Sequence, residues 1–325
     1  MIKRTTLPLR FTVFALTACK SDEPSAFFDD YLTRVANVQE VSVIDDRHNQ
    51  YRNLPRKRDL YIHIPPVSIG LLDSYQLREC GLFNLIAERN SVLGKVSDQF
   101  RNYDYQKALL DGITRCQNND VIDPALKQTL ADIEIQKRSQ ITKHQWNLLF
   151  TSDAMQTQLQ GTRWLDTDLG QTVREVNQAL ATLSLSFNHS VPNSVDVQEV
   201  LEKNPIIGNL NYSLAMAAHK LNHVTQQLLE YDQTIICQQN RDVTKYKYLN
   251  NVFEQQYIAK VQPYMAQLDS YYQTLAVNLV LFAPQPDTHR YVYPLEQNHQ
   301  AFRLAIRHHV DYWKKLFTRC GRKLG

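Results

Sequence analysis

Residues 207–235, IGNLNYSLAMAAHKLNHVTQQLLEYDQTI, decide the fold class. Their apolar positions fall at Ile207, Leu210, Leu214, Ala217, Leu221, Val224, Leu228, Tyr231 and Ile235, in steps of three and four residues. On a helix that spacing draws one narrow line, the seam of a bundle or coiled coil. Asn222, Gln226 and Gln227 fall on the other face. A second seam runs through Phe253, Tyr257, Val261, Tyr264, Leu268, Tyr271, Leu275 and Leu279. Pro263 lies inside it and predicts a kink or break, because proline has no N–H and its ring presses on the preceding turn. Asp123-Pro124 opens a third helix, with an N-cap acceptor followed by a proline whose missing donor costs nothing there. That helix carries Leu126, Leu130 and Ile133 and is expected to reach about residue 150.

Further helices are expected at about 69–95 and 104–117, as an antiparallel hairpin turning near residue 98, and at about 295–319. Nine glycines in 325 residues are under half the usual share of about 7%. That leaves few tight turns and no phosphate-cradling loop. Leu60-Tyr61-Ile62-His63-Ile64 and His289-Arg290-Tyr291-Val292-Tyr293 alternate in polarity and end at prolines, so each reads as a short strand or extended connector, paired with the other if strands. No repeat of 20–50 residues is evident. The expected fold is mainly α. It is an elongated multi-helix bundle with long antiparallel helices and at most a short two-stranded extended element.

The amino terminus gives an address. Lys3, Arg4 and Arg10 precede the apolar run Phe11-Thr12-Val13-Phe14-Ala15-Leu16, and Leu16-Thr17-Ala18-Cys19 reads as a bacterial lipobox. Residues 1–18 are then a cleaved signal peptide, Cys19 carries lipid, residues 19–26 form a tether and residues 27–325 a single helical domain. The apolar run is far short of the ~20 residues needed to span a bilayer. Three buried acyl chains, at ~0.8 kcal/mol per CH₂, would hold such a protein almost permanently. Lys20, which replaces the aspartate that favours inner-membrane retention, leans the expectation towards the periplasmic face of the outer membrane. Loss of the three leader cations takes the net charge of +3 to zero. A whole-chain case for nucleic acid goes with it.

Lipidation of Cys19 leaves four cysteines, Cys80, Cys116, Cys237 and Cys320, without any CxxC spacing. An even count in an oxidising compartment favours disulfides, in one of three connectivities. Cys80 and Cys116 lie eighteen residues either side of the expected hairpin turn, so they come level across it. That bridge would contribute up to roughly 4 kcal/mol through loop entropy. Cys237–Cys320 is then the second pair, and it requires the chain to fold back near residue 240.

Candidate chemistry is thin. His219 and His223 share a helix face, but Lys220 follows where a zinc protease carries glutamate, and no third ligand is identifiable. Glu296 and His299 have the Glu-x-x-His spacing of di-iron bundles, but only once. His308, His309 and Asp311 lack a nucleophile motif and suit the carboxyl half of a helix, where the dipole favours cations. Arg52, Arg56, Lys57 and Arg58 form one basic cluster. It either contacts an anionic membrane or polyanion at about 1 kcal/mol per charge, or pairs with Asp45, Asp46 and Asp59. The many tyrosines read as core and interface residues.

Arg52-Asn53-Leu54-Pro55-Arg56-Lys57-Arg58-Asp59-Leu60, Ile64-Pro65-Pro66, Cys80, Arg89-Asn90-Ser91-Val92-Leu93-Gly94, Cys116 and Asn204-Pro205-Ile206-Ile207-Gly208 resemble a known family. It is the proteobacterial lipoproteins grouped as domain of unknown function 3080. The resemblance implies a lipoprotein signal and a compact domain over nearly all the mature chain, with no activity, cofactor or catalytic residue to transfer. The expectation is therefore a non-enzymatic binding or scaffold module of the cell envelope, with an envelope protein as partner and no cofactor, metal or nucleic acid. The alternatives are a helical carrier or receptor for an apolar envelope ligand such as lipid, and a metal- or histidine-dependent hydrolase.

Overall fold

The computed structural model describes residues 23–46, 51–68, 75–189, 191–238, 241–288 and 290–322. The lipobox, Cys19 and His289 lie outside them. The chain is a mainly α multi-helix bundle, and no strand occurs among the described residues. In chain order the helices are α1 Glu23–Gln39, α2 Lys57–Leu60, α3 Leu82–Asn90, α4 Val92–Lys95, α5 Gln99–Gln117, α6 Pro124–Thr151 and α7 Asp153–Leu159. They continue with α8 Gly170–Asn188, α9 Gln198–Lys203, α10 Ile206–Glu230, α11 Thr244–Val252, α12 Gln262–Leu275 and α13 Leu295–Arg319.

The quoted seam is α10, the centre of the bundle. Leu210, Leu214, Ala217, Leu221, Val224 and Leu228 are all buried, and the helix packs against α1, α7, α12 and above all α13. The helix stops at Glu230, short of Ile235. Asp232, just beyond it, accepts bonds from Tyr312 Oη (3.0 Å) and Arg319 Nη2 (3.0 Å) of α13. The chain turns back after α10, as the second cysteine pair required.

Pro263 does not break its helix. Residues Phe253–Val261 form a π-helical segment that joins α11 to α12, and Gln262 N–H donates to the carbonyl of Tyr257 five residues back. Widening the turn to five-residue bonds removes the crowding that proline imposes on the carbonyl a turn earlier. The hairpin differs from expectation in its first arm. Gly81, at φ 78°, and Ser91 interrupt it, so α3 and α4 replace one long helix. The turn itself lies where expected: Asp98 caps α5 by accepting from Arg101 N–H (2.9 Å). Cys80, in the turn before α3, is bridged to Cys116 (Cα–Cα 5.1 Å), and Cys237 to Cys320 (5.2 Å).

The expected pair of strands is absent because a helix side chain takes the place of a partner strand. Asn147 of α6 accepts from Ile62 N–H (2.9 Å) and donates to Ile62 C=O (2.8 Å). Trp146 Nε1 donates to the Leu60 carbonyl (2.8 Å). The extended stretch is thus zipped onto α6. The tether is also shorter than expected, since α1 begins at Glu23 and takes in the last four of its residues.

Two hydrophobic cores share the molecule. The larger is built on α1, α8, α10, α12, α13 and the second half of α6. The smaller gathers Leu77, Leu82, Leu109, Ile113, Cys116, Ile122, Leu126 and Leu130. Helices α5 and α6 run through both.

One buried polar node ties α1, α10 and α13 in the larger core. Thr225 Oγ1 donates to the Leu221 carbonyl (2.8 Å), so it accepts from His309 Nδ1 (2.9 Å). His309 Nε2 then accepts from Tyr31 Oη (3.0 Å), and the Trp313 Nε1–H is shared between Tyr31 Oη (3.1 Å) and that nitrogen (3.0 Å). Both imidazole nitrogens are satisfied in the neutral form. Complete burial pushes the His309 pKa down to about 3.

Two predictions follow from these ties. Below its ordinary pKa of about 6.5 an unfolded histidine binds a proton that folded His309 refuses until about pH 3. Stability therefore falls with pH across that window, by roughly 1.4 kcal/mol per pH unit for this group. His309→Gln should lower stability at pH 7 yet flatten its loss between pH 6 and 4, measured by urea unfolding at each pH. The paired changes Cys80→Ser and Cys116→Ser should cost about 3–4 kcal/mol, chiefly in the smaller core. Hydrogen exchange should accelerate in α3 and the start of α6 while α10 stays protected.

Candidate functional site

Most of the residues with suggestive spacing are structural. His219 Nε2 pairs with Asp46 Oδ1 (2.8 Å), and His223 Nε2 lies 2.9 Å from the Ile44 carbonyl. One turn further on, Gln227 Oε1 accepts from Ile44 N–H (2.8 Å). This row on α10 pins the segment that follows α1. His299 Nε2 pairs with Asp269 (2.6 Å) and its ring stacks on Tyr272 (centroids 3.5 Å), while Glu296 is exposed and accepts from Gln300 (3.1 Å). His308 and Asp311 are exposed, whereas His309 is buried. No cluster of three or more metal-binding side chains occurs among the described residues.

Two carboxylates, Asp59 and Asp153, offset half of the basic cluster's four charges. Arg56 Nε (2.9 Å) and Arg58 Nε (3.6 Å) both face the Asp59 carboxylate, and the hydrogen bond from Arg56 holds its pKa below the usual range. Lys57 pairs with Asp153 of α7, and Arg52 is exposed. Of the acids expected as partners, Asp59 serves in that way, whereas Asp46 takes His219.

A different site opens between the two cores. A cavity of about 700 Å³ is bounded by α3, α5, α6 and the extended residues 64–68. That volume falls within the range of small-molecule sites, roughly 300–1,000 Å³. One wall is apolar, made of Leu82, Ile86, Leu109, Ile113, Leu130 and Ile133. The other carries Arg89, Asn102, Gln106, Lys137 and His144.

The polar wall follows from the heptad line of α6. Leu126, Leu130, Ile133, Lys137, Gln140, His144 and Asn147 continue one seam in steps of four and three. Its first half is apolar and fills the smaller core; its second half is polar and faces the gap. Arg89 arrives from the end of α3 and stacks over Tyr105 (5.4 Å). Its guanidinium donates to Asn102 Oδ1 (2.8 Å) and to Gly94 C=O and Ser97 Oγ, all neutral acceptors. Lys137 Nζ donates to Gln106 Oε1 (3.1 Å), also neutral. Asp98, the acid at the rim, serves Arg101 and Gln198. Neither Arg89 nor Lys137 has an acid partner among the described residues.

The Asn102 amide is oriented by Arg89, so its NH₂ group faces His144 Nδ1 (3.1 Å), which must accept. The imidazole proton then sits on Nε2. His144 Nε2 is buried and has no hydrogen-bond partner among the described residues. Burial, Lys137 and Arg89 push the His144 pKa down to about 4, so the ring is neutral at pH 7. Burial and Arg89 likewise lower that of Lys137. A half-buried pair of cations beside an orphan N–H donor is a place for an anion. Sequence reasoning missed it because Arg89, Asn102 and Lys137 come from three helices. The polar half of the α6 seam was its one legible sign.

Residues 28–324 match a family described as "Protein of unknown function (DUF3080)". The chain belongs to that family. No curated protein and no solved structure matches it. Across the described residues no helix is long and apolar enough to cross a membrane.

In this member, Lys137 is held at a cost to folding, since a lowered lysine pKa means the charged form is disfavoured in the folded chain. Lys137→Met removes that charge and its repulsion with Arg89, set against loss of the hydrogen bond to Gln106, and should change stability by less than about 1 kcal/mol. Thermal and urea unfolding at pH 7 would show it; a loss of more than 1 kcal/mol would mean that Lys137 is structural.

Proposed function

We propose that this chain is a non-enzymatic binding module of the cell envelope, held by lipid on Cys19 at the periplasmic face of the outer membrane, whose binding site is the cavity between its two cores. The Leu16-Thr17-Ala18-Cys19 lipobox and Lys20 support the address. Two disulfides suit an oxidising compartment. The carrying observation for the binding role is the cavity, where, among the described residues, Arg89 and Lys137 meet only neutral acceptors and His144 Nε2–H meets none. Polar groups buried in folded chains nearly always meet a partner, from the protein, from water or from a ligand.

Against the hydrolase alternative, His219, His223, His299 and His309 are each engaged in packing or in pinning a segment. None stands beside an activated nucleophile. A pure scaffold would have no use for the cavity, so the carrier or receptor form of the binding role is favoured.

Anilinonaphthalene sulfonate, an anion with an apolar body, is a suitable probe. The full chain with Cys19→Ser should bind it with one-to-one stoichiometry, and Ile133→Trp, which fills the apolar wall, should weaken binding at least tenfold without changing the circular dichroism. Equal binding by both proteins would sink the cavity assignment. In cells, Cys19→Ser should move the protein from the membrane to the soluble fraction. Steady-state product release that is lost on changing His219 or His308 alone would overturn the non-enzymatic reading.

A further inference from the structure

Building on the reading of the cavity as a binding site, we propose that its ligand is an anionic amphiphile with one acyl chain. A carboxylate or phosphate head would lie between Arg89, Lys137 and His144 Nε2–H, and the chain along Leu82, Ile86, Leu109, Ile113, Leu130 and Ile133. Three observations lead there. The cations are half-buried and face neutral partners among the described residues, so one negative charge would relieve a desolvation that these partners do not offset. His144 is 8% exposed, and its Nε2–H adds a directional donor without a second positive-charge penalty, since the ring is neutral. The apolar part of the lining is continuous with the smaller core, so an apolar ligand tail would extend that core rather than create a new one.

The two ends select together. A small anion alone would leave the apolar wall in water, and an uncharged lipid would leave the cations and the N–H unmet. The head chemistry has two sources, a fatty acid or a lysophospholipid, and both offer oxygen acceptors to Arg89. Water-mediated contacts could serve either.

The test uses the full chain with Cys19→Ser, so that its own anchor cannot occupy the site. Calorimetric titration with oleate, oleoyl lysophosphatidate, oleyl alcohol and inorganic phosphate separates head from tail. Oleate or the lysophosphatidate should bind at least tenfold more tightly than oleyl alcohol, and phosphate alone should bind at least a hundredfold more weakly than either. The tighter of the two acyl anions identifies the head. Lys137→Met should weaken the acyl anions at least tenfold while leaving oleyl alcohol unchanged; Arg89→Gln should do the same if it melts normally. Oleyl alcohol binding as tightly as both anions, or Lys137→Met leaving the anions unchanged, would overturn the proposal. If anilinonaphthalene sulfonate still binds and no acyl anion displaces it, the ligand class is wrong and the cavity reading survives. If the dye does not bind either, the cavity reading itself fails.

Discussion

A helix buried on most of its surface cannot leave its polar side chains to water, and α10 is such a helix. Besides its apolar seam it buries Asn209, Asn211, Ser213, Thr225 and Gln227. Each of these groups needs a partner, and the partners it finds are the loops and neighbouring helices that make up the rest of the fold. Asn209 Oδ1 takes the amide of Thr162 (3.2 Å) and Ser213 Oγ that of Leu165 (2.8 Å), so the segment after α7 lies along the helix. Gly161 and Gly208 allow that approach, since a Cβ on either would meet the backbone of the other strand of chain. Asn211 joins Tyr51 (2.9 Å) to Asn298 (2.7 Å), and Thr225 joins His309. His219, His223 and Gln227 hold the segment after α1. The apolar seam fixes which helices pack on α10, and the polar residues fix where the chain runs between them.

The same division explains what could be read in advance. Helix α13 spans the residues expected of it and α6 starts at its Asp-Pro cap, because local signals specify both. The hairpin turn at Asp98 and the Cys80–Cys116 bridge follow from symmetry about that point. Long-range features were less visible. The π segment before Pro263 depends on packing: its Tyr257 sits against His309 (centroids 4.5 Å) and its Phe253 against Trp313 (4.3 Å). With both rings fixed in the core, widening the turn accommodates the proline with less loss than breaking the helix. The alternating residues 60–64 did signal an extended chain, which runs from residue 61 because Leu60 ends α2. Nothing local indicated that Asn147 would supply the two hydrogen bonds a strand would otherwise give.

The cavity was hidden for a related reason. The α6 seam reads as an ordinary core stripe through Leu126, Leu130 and Ile133, and then places Lys137, Gln140 and His144 where apolar residues would continue it. A seam that changes character without changing register must leave one partner and meet another. In the structure it leaves the smaller core and meets the gap below the extended residues 64–68. The Gln140 amide donates to the Pro65 carbonyl (3.2 Å), but its own oxygen has no partner among the described residues. Tertiary placement of Arg89 and Asn102 then completes a site that no short motif encodes.

The two-core arrangement gives that site its leverage. The smaller core is too limited to be independently stable at the usual surface-to-volume ratio of small units. It is secured by the Cys80–Cys116 bridge and by α5 and α6, which it shares with the larger core. The cavity's apolar wall is made of the smaller core's own residues, so a ligand there would add apolar burial where the fold has least. Its polar wall stands on the shared helices: Asn102 of α5 lies between Phe100 and Tyr103, which pack into the larger core. Occupancy would thus be felt by both cores, through helices that cannot move in one without moving in the other. Binding energy gained at the gap would appear as stability of the α3–α5 end, which is the part of the chain the central helix α10 does not organise.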